Sequence, residues 1–274
     1  MRLRLASTLI FASCLLATAA LAQKPAAPNP PSNDDCLACH GDPSAKASDG
    51  RSIAVPADTF GASIHGQSGI SCVGCHVALE KATEFPHAEK LPPVACAACH
   101  QEAAAKYDTG VHAQARRASP DSVAAACKDC HGTHEIRPAA DPESPTYHLN
   151  LAATCGRCHG NADIIKRGKI AIGDVVSQFQ DSIHGQALAK SGLMVAPDCK
   201  DCHNAHDIKR HTDPESKVFR TAIPATCGKC HEGIERRYRT GIHGDALQKG
   251  RPDAPVCVTC HTAHRIRRTE GAAW

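Results

Sequence analysis

Strongly apolar residues are concentrated in one stretch of this 274-residue chain, residues 5–19, directly behind Arg2 and Arg4. The stretch is too short to span a bilayer comfortably, and Ala20-Leu21-Ala22 then gives a small-x-small cleavage pattern before Gln23. Residues 1–22 therefore read as a secretory signal peptide, and 23–33, rich in Pro and Ala, as a linker. No second apolar span follows. Alternating patterns of useful length are absent, which argues against a sheet. Segments 101–117, 163–192 and 232–250 have helix-forming composition and end in or before Gly or Pro, with Gly110, Gly168, Gly173 and Gly241 expected to break them. The twin DPES segments at 141–144 and 213–216 read as turns. The pattern predicts a mostly α and irregular fold of short helices and loops, with little or no β-structure.

Such short, weakly apolar elements need something else to fold around, and the cysteines indicate what. Eight CxxCH motifs use every cysteine except Cys14, which lies in the leader. They place Cys36, Cys39 and His40; Cys72, Cys75 and His76; Cys96, Cys99 and His100; and Cys127, Cys130 and His131. The second half repeats the pattern with Cys155, Cys158 and His159; Cys199, Cys202 and His203; Cys227, Cys230 and His231; and Cys257, Cys260 and His261. Two thiols at this spacing reach the two vinyl groups of one haem, and the adjacent imidazole meets its iron. A disulfide scaffold has no use for histidine after each pair. With histidine at 18 of 274 positions, eight coincidences have a chance probability on the order of 10⁻⁹ to 10⁻¹⁰. Zinc would need two converging CxxC units per ion, or a CxxC with a downstream histidine pair. The cofactor expectation is eight covalently attached haem c groups.

Composition agrees. Aromatic residues make up 3% of the chain, too few for an ordinary core of this size, and porphyrins would supply the missing apolar surface. The formal charge of +3 includes the two leader arginines. Two propionates per haem would turn the holoprotein acidic, and nothing in the charge pattern suggests nucleic acid.

The motifs come in pairs with a histidine between the members: His65, His112, His184 and His243. Three second motifs carry a further histidine three residues on, His134, His206 and His264. The first pair lacks that residue, and His87 is the expected substitute. Flanking repeats (SIHGQ at 63–67 and 182–186) predict two duplicated four-haem modules, 34–141 and 142–274, each of two dihaem units. These eight spare histidines are the expected second iron ligands. His148, which aligns with Arg220, and His211 are expected not to be ligands. An i+3 histidine is too near its own haem to reach over it, so it should serve a neighbour. With Met194 the sole methionine after the leader, His/Met ligation cannot be general, and low potentials are expected.

Paired CxxCH units with CHxxH second motifs and S-I-H-G segments resemble the multihaem c-type cytochromes of anaerobic respiration, most closely the class III and small periplasmic electron-carrier type. The resemblance implies a protein without catalytic residues that relays electrons along bis-histidine haems. It also implies redox protein partners, among them a separate membrane quinol-oxidising b-type cytochrome, because this chain shows no membrane segment. The expected location is the periplasm or the extracellular side. Two other readings stay open: an octahaem oxidoreductase of the nitrite, hydroxylamine or tetrathionate type with one open iron, and a subunit of an extracellular haem filament.

Overall fold

The computed structural model describes residues 29–267; the signal peptide, Cys14 and the first part of the linker lie outside them. The described chain is a succession of short helices and turns without a strand, its β-pairing limited to an isolated bridge between Lys46 and Ser52. No helix among the described residues is long and apolar enough to cross a membrane.

The segments expected to be helical are helical in pieces. Gln101–Thr109 breaks at Gly110 and resumes as Val111–Ala118, and Glu232–Thr240 breaks at Gly241 before Ile242–Gln248. Segment 163–192 splits into Ala162–Arg167, Val175–Asp181 and Ile183–Ala189. Its second break falls at Ser182 rather than at a glycine. The Ser182 hydroxyl accepts from the Gly185 N–H (3.1 Å) and donates to the Phe179 carbonyl (2.6 Å), capping one helix and closing the other. Ser63 does the same between Ala57–Ala62 and Ile64–Gln67. The glycine after the middle histidine permits the tight corner: a Cβ on Gly185 would lie 2.1 Å from the Phe179 oxygen, and one on Gly244 2.3 Å from that of Tyr238.

Short helices also form where composition gave no hint, at the haem motifs themselves: Asn33–His40, Cys127–His131, Leu151–His159, Cys199–His203 and Cys257–His261. Local capping explains the second motifs. Asp129, Asp201 and Thr259 each reach back to the backbone N–H three residues earlier, at 2.7, 2.8 and 3.1 Å.

Successive units of two CxxCH motifs are joined by one recurrent backbone hydrogen bond. The N–H of Ile64 donates to Ile136, that of Val111 to Ile208, and that of Ile183 to Ile266, each at 2.8 Å. The bond runs from the start of a corner helix in one unit to the segment after the second motif of the next. The boundary at 141/142 is crossed in the same way as the others. Among the described residues the buried apolar side chains are few and scattered (Val73, Ala113, Leu188, Ala196, Ile223, Ala254, Val256), so polypeptide alone builds no continuous core there.

Candidate haem sites

Each second motif of units two to four ends its helix abruptly. The residue after the motif histidine is left-handed: Gly132 at φ 85°, Asn204 at 65° and Thr262 at 63°. That turn carries the chain off the helix axis, so the i+3 histidine leaves its own motif and faces the preceding unit. In unit one Val77 instead starts a short 3-10 turn, Val77–Leu79, and position 79 is Leu.

Seven pairs of imidazoles result, each joining a motif histidine to a spare one. His40 faces His87 with ring centroids 5.9 Å apart, His76 faces His134 at 6.2 Å, and His100 faces His65 at 5.8 Å. His131 faces His206 at 6.1 Å, His159 faces His112 at 6.3 Å, His203 faces His264 at 6.0 Å and His231 faces His184 at 6.1 Å. These separations test the fit of an iron porphyrin. A metal–imidazole bond is about 2.0 Å and a ring centroid lies about 1.1 Å behind its nitrogen, so two rings on opposite faces of one metal should be about 6.2 Å apart. All seven pairs lie close to that value. Rings stacked directly on each other would be nearer.

The pairing follows a rule. A middle histidine serves the first motif of the next unit (65 to 100, 112 to 159, 184 to 231), whereas an i+3 histidine serves the second motif of the previous one (134 to 76, 206 to 131, 264 to 203). In unit one, where Leu79 stands at the i+3 position, the first motif histidine His40 is met by His87 rather than by a middle histidine.

The electrostatics suit metal ligation, which requires neutral imidazole. Burial, then His264 and His159, push His203 down to about 4, and burial lowers His112 and His159 as well. The His40 Nδ1 is held by the Ile53 carbonyl at 2.8 Å, leaving Nε2 to face His87. The first cysteines of the two motifs in a unit meet: Cys36 with Cys72, Cys96 with Cys127, Cys155 with Cys199 and Cys227 with Cys257. The facing thiol, then burial, raise Cys199 and Cys227 far above the usual thiol range. Between units, Cys75 approaches Cys96 and Cys99, and Cys130 approaches Cys155 and Cys158. A cleft of about 400 Å³ is lined by Cys99, His100, Lys106 and His206, which bring two neighbouring sites to one space.

Three spare histidines have other surroundings. His148 is half-buried, with Nδ1 2.7 Å from Asp198 and Nε2 3.0 Å from the Ala196 carbonyl. Arg220, its repeat counterpart, donates to the equivalent carbonyl, that of Ala254. Both therefore fasten the segment ahead of a second motif. His148, Asp198 and Asp201 lie close enough together to suggest a cation site, but the Lys200 ammonium already occupies the Asp198 carboxylate. His211 and His243 are exposed, whereas all seven paired spare histidines are half-buried. Among the described residues no ring contact joins His243 to another histidine.

This array of CxxCH motifs with opposed imidazoles defines a multihaem c-type cytochrome, and the chain belongs to that class; its role is electron transfer. A sequence model of the cytochrome c3 family matches residues 64–160. The chain is also similar to the cytochrome c-type protein NapC of Haemophilus influenzae, with 28% identity over 173 residues, covering 60% of this chain and 73% of that protein. No solved structure matches the chain.

Proposed function

We propose that the chain is an octahaem cytochrome that relays electrons along a single row of sites whose order in space follows the order of the motifs in sequence. Bound haem iron supplies the one-electron couple. The sixteen motif cysteines would anchor the porphyrins and the eight motif histidines would each hold an iron. The seven facing histidines would be second ligands, which would keep water and small substrates off those irons. The observation that carries the reading is the seven-fold recurrence of imidazole pairs at 5.8–6.3 Å. Thiol contacts within and between units support the order, because they bring successive porphyrin edges together. The leader pattern supports export to the periplasm or beyond. Partners on this reading are redox proteins at the two ends of the row, a membrane quinol-oxidising cytochrome among them. Histidine ligation without thioether keeps the potentials low.

Intact mass and low-temperature electron paramagnetic resonance test this together. The expected result is a polypeptide carrying eight haems, with seven or more irons low-spin. Six haems or fewer, or several high-spin irons with rapid nitrite reduction, would overturn it in favour of a partly loaded protein or an oxidoreductase.

A further inference from the structure

We propose that Ser48 and Glu89 are the positioning residues for His87, and that the turn at 45–53 orients both imidazoles of the His40–His87 pair from one piece of backbone. The proposal rests on the imidazole-pair reading above. The other six paired spare histidines share a different device. His65, His112 and His184 directly follow the donors Ile64, Val111 and Ile183, and His134, His206 and His264 stand two residues before the acceptors Ile136, Ile208 and Ile266. Each of those three 2.8 Å backbone bonds therefore fixes two spare histidines at once.

His87 has no such bond. Residues 83–94 form no helix and make no backbone–backbone hydrogen bond among the described residues, and 83–90 are exposed apart from His87 itself. Glu89 ties this segment down, and it stands two residues beyond His87, as Ile136 stands beyond His134. Its Oε1 accepts from the Ser48 N–H at 3.0 Å and its Oε2 from the Ser48 hydroxyl at 2.5 Å, across 41 residues of chain.

Ser48 is itself held in a tight turn. Lys46 bridges Ser52, the Ala47 N–H donates to the Arg51 carbonyl at 2.9 Å and the Ile53 N–H to that of Ala45 at 3.0 Å, with Gly50 at φ 82°. The returning arm ends at Ile53, whose carbonyl lies 2.8 Å from His40 Nδ1. His87 Nδ1 lies 2.8 Å from the Ala88 carbonyl. Both rings thus place the proton on Nδ1 and keep Nε2 for a metal, with their planes 14° apart. Ordering an exposed, unbonded segment costs conformational entropy, and the Ser48–Glu89 contact meets that cost by keeping His87 beside His40.

The test uses reduced holoprotein of measured haem count, with carbon monoxide as the probe and visible spectra as the readout. His87→Ala identifies the spectrum of the iron that loses this ligand. Glu89→Ala should open the same iron, with carbon monoxide uptake about tenfold faster than in wild type, the size expected when two hydrogen bonds are lost. The double variant should open no additional iron. Glu89→Gln should stay near wild type, because the amide oxygen accepts from the Ser48 N–H while the NH2 donates to its hydroxyl. Wild-type uptake in Glu89→Ala, opening of any other iron, or equal uptake in Glu89→Gln and Glu89→Ala overturns the proposal while the pairing stands. If His87→Ala opens no iron, the pairing itself fails and takes the proposal with it.

Discussion

The first and fourth paired-motif units are built from the same repeat, and their spare histidines meet different surroundings. In the first unit Leu79 stands where the i+3 histidine would be, and His87 faces His40. The fourth unit keeps the middle histidine and its apolar neighbour, and leaves both exposed. The comparison teaches that an equivalent position in the repeat does not guarantee an equivalent partner: His65 faces His100, whereas no ring contact joins His243 to another histidine among the described residues.

The comparison breaks most visibly at His87. His87→Ala should open one iron at the N-terminal end, giving one high-spin, carbon-monoxide-binding haem while the other sites keep their spectra. An unchanged spectrum would mean that this end is not closed by His87. A smaller effect separates an inner corner from the outer one. Alanine at Gly185 or Gly244 forces a Cβ to within 2.1 or 2.3 Å of a backbone oxygen, and overpacking of this kind costs about 1–3 kcal/mol in either case. Thermal unfolding should register both. Gly185→Ala should also displace His184 from His231 and create a carbon-monoxide-binding iron, while Gly244→Ala should create none. Equal carbon monoxide binding by the two variants would erase the distinction between a covered and an uncovered corner.

Much of this site is written locally, and that part was legible. Cysteines and motif histidines are five-residue signals, and Asp129 and Asp201 cap their own helices. The scarcity of aromatics pointed to a fold without a continuous core of its own, as the scattered buried residues show. Which histidine meets which was not legible, because it depends on units docking through bonds such as Ile64 to Ile136, between residues without special chemistry. The break at Ser182 was missed for a related reason: a serine that caps one helix while closing another looks like any serine. His148 shows the reverse case. Its alignment with Arg220 already suggested a role other than ligation, and both side chains do fasten an alanine carbonyl ahead of a second motif. The left-handed Asn204 and Thr262 explain why the i+3 histidines face backwards, yet only Gly132 among the three equivalent positions carries the residue type that signals such a turn.

The central claim is that the haem sites form one row in chain order, seven of the irons each between a motif histidine and a histidine of the adjoining segment or unit. Crystals of the holoprotein, measured on both sides of the iron absorption edge, locate the irons without reference to the polypeptide. The account predicts eight anomalous peaks in a single file, seven of them midway between the imidazole pairs from His40–His87 to His184–His231 and His203–His264, and no iron of the same chain against His243. A branched or broken file, or an intrachain iron bound by His243, would contradict it.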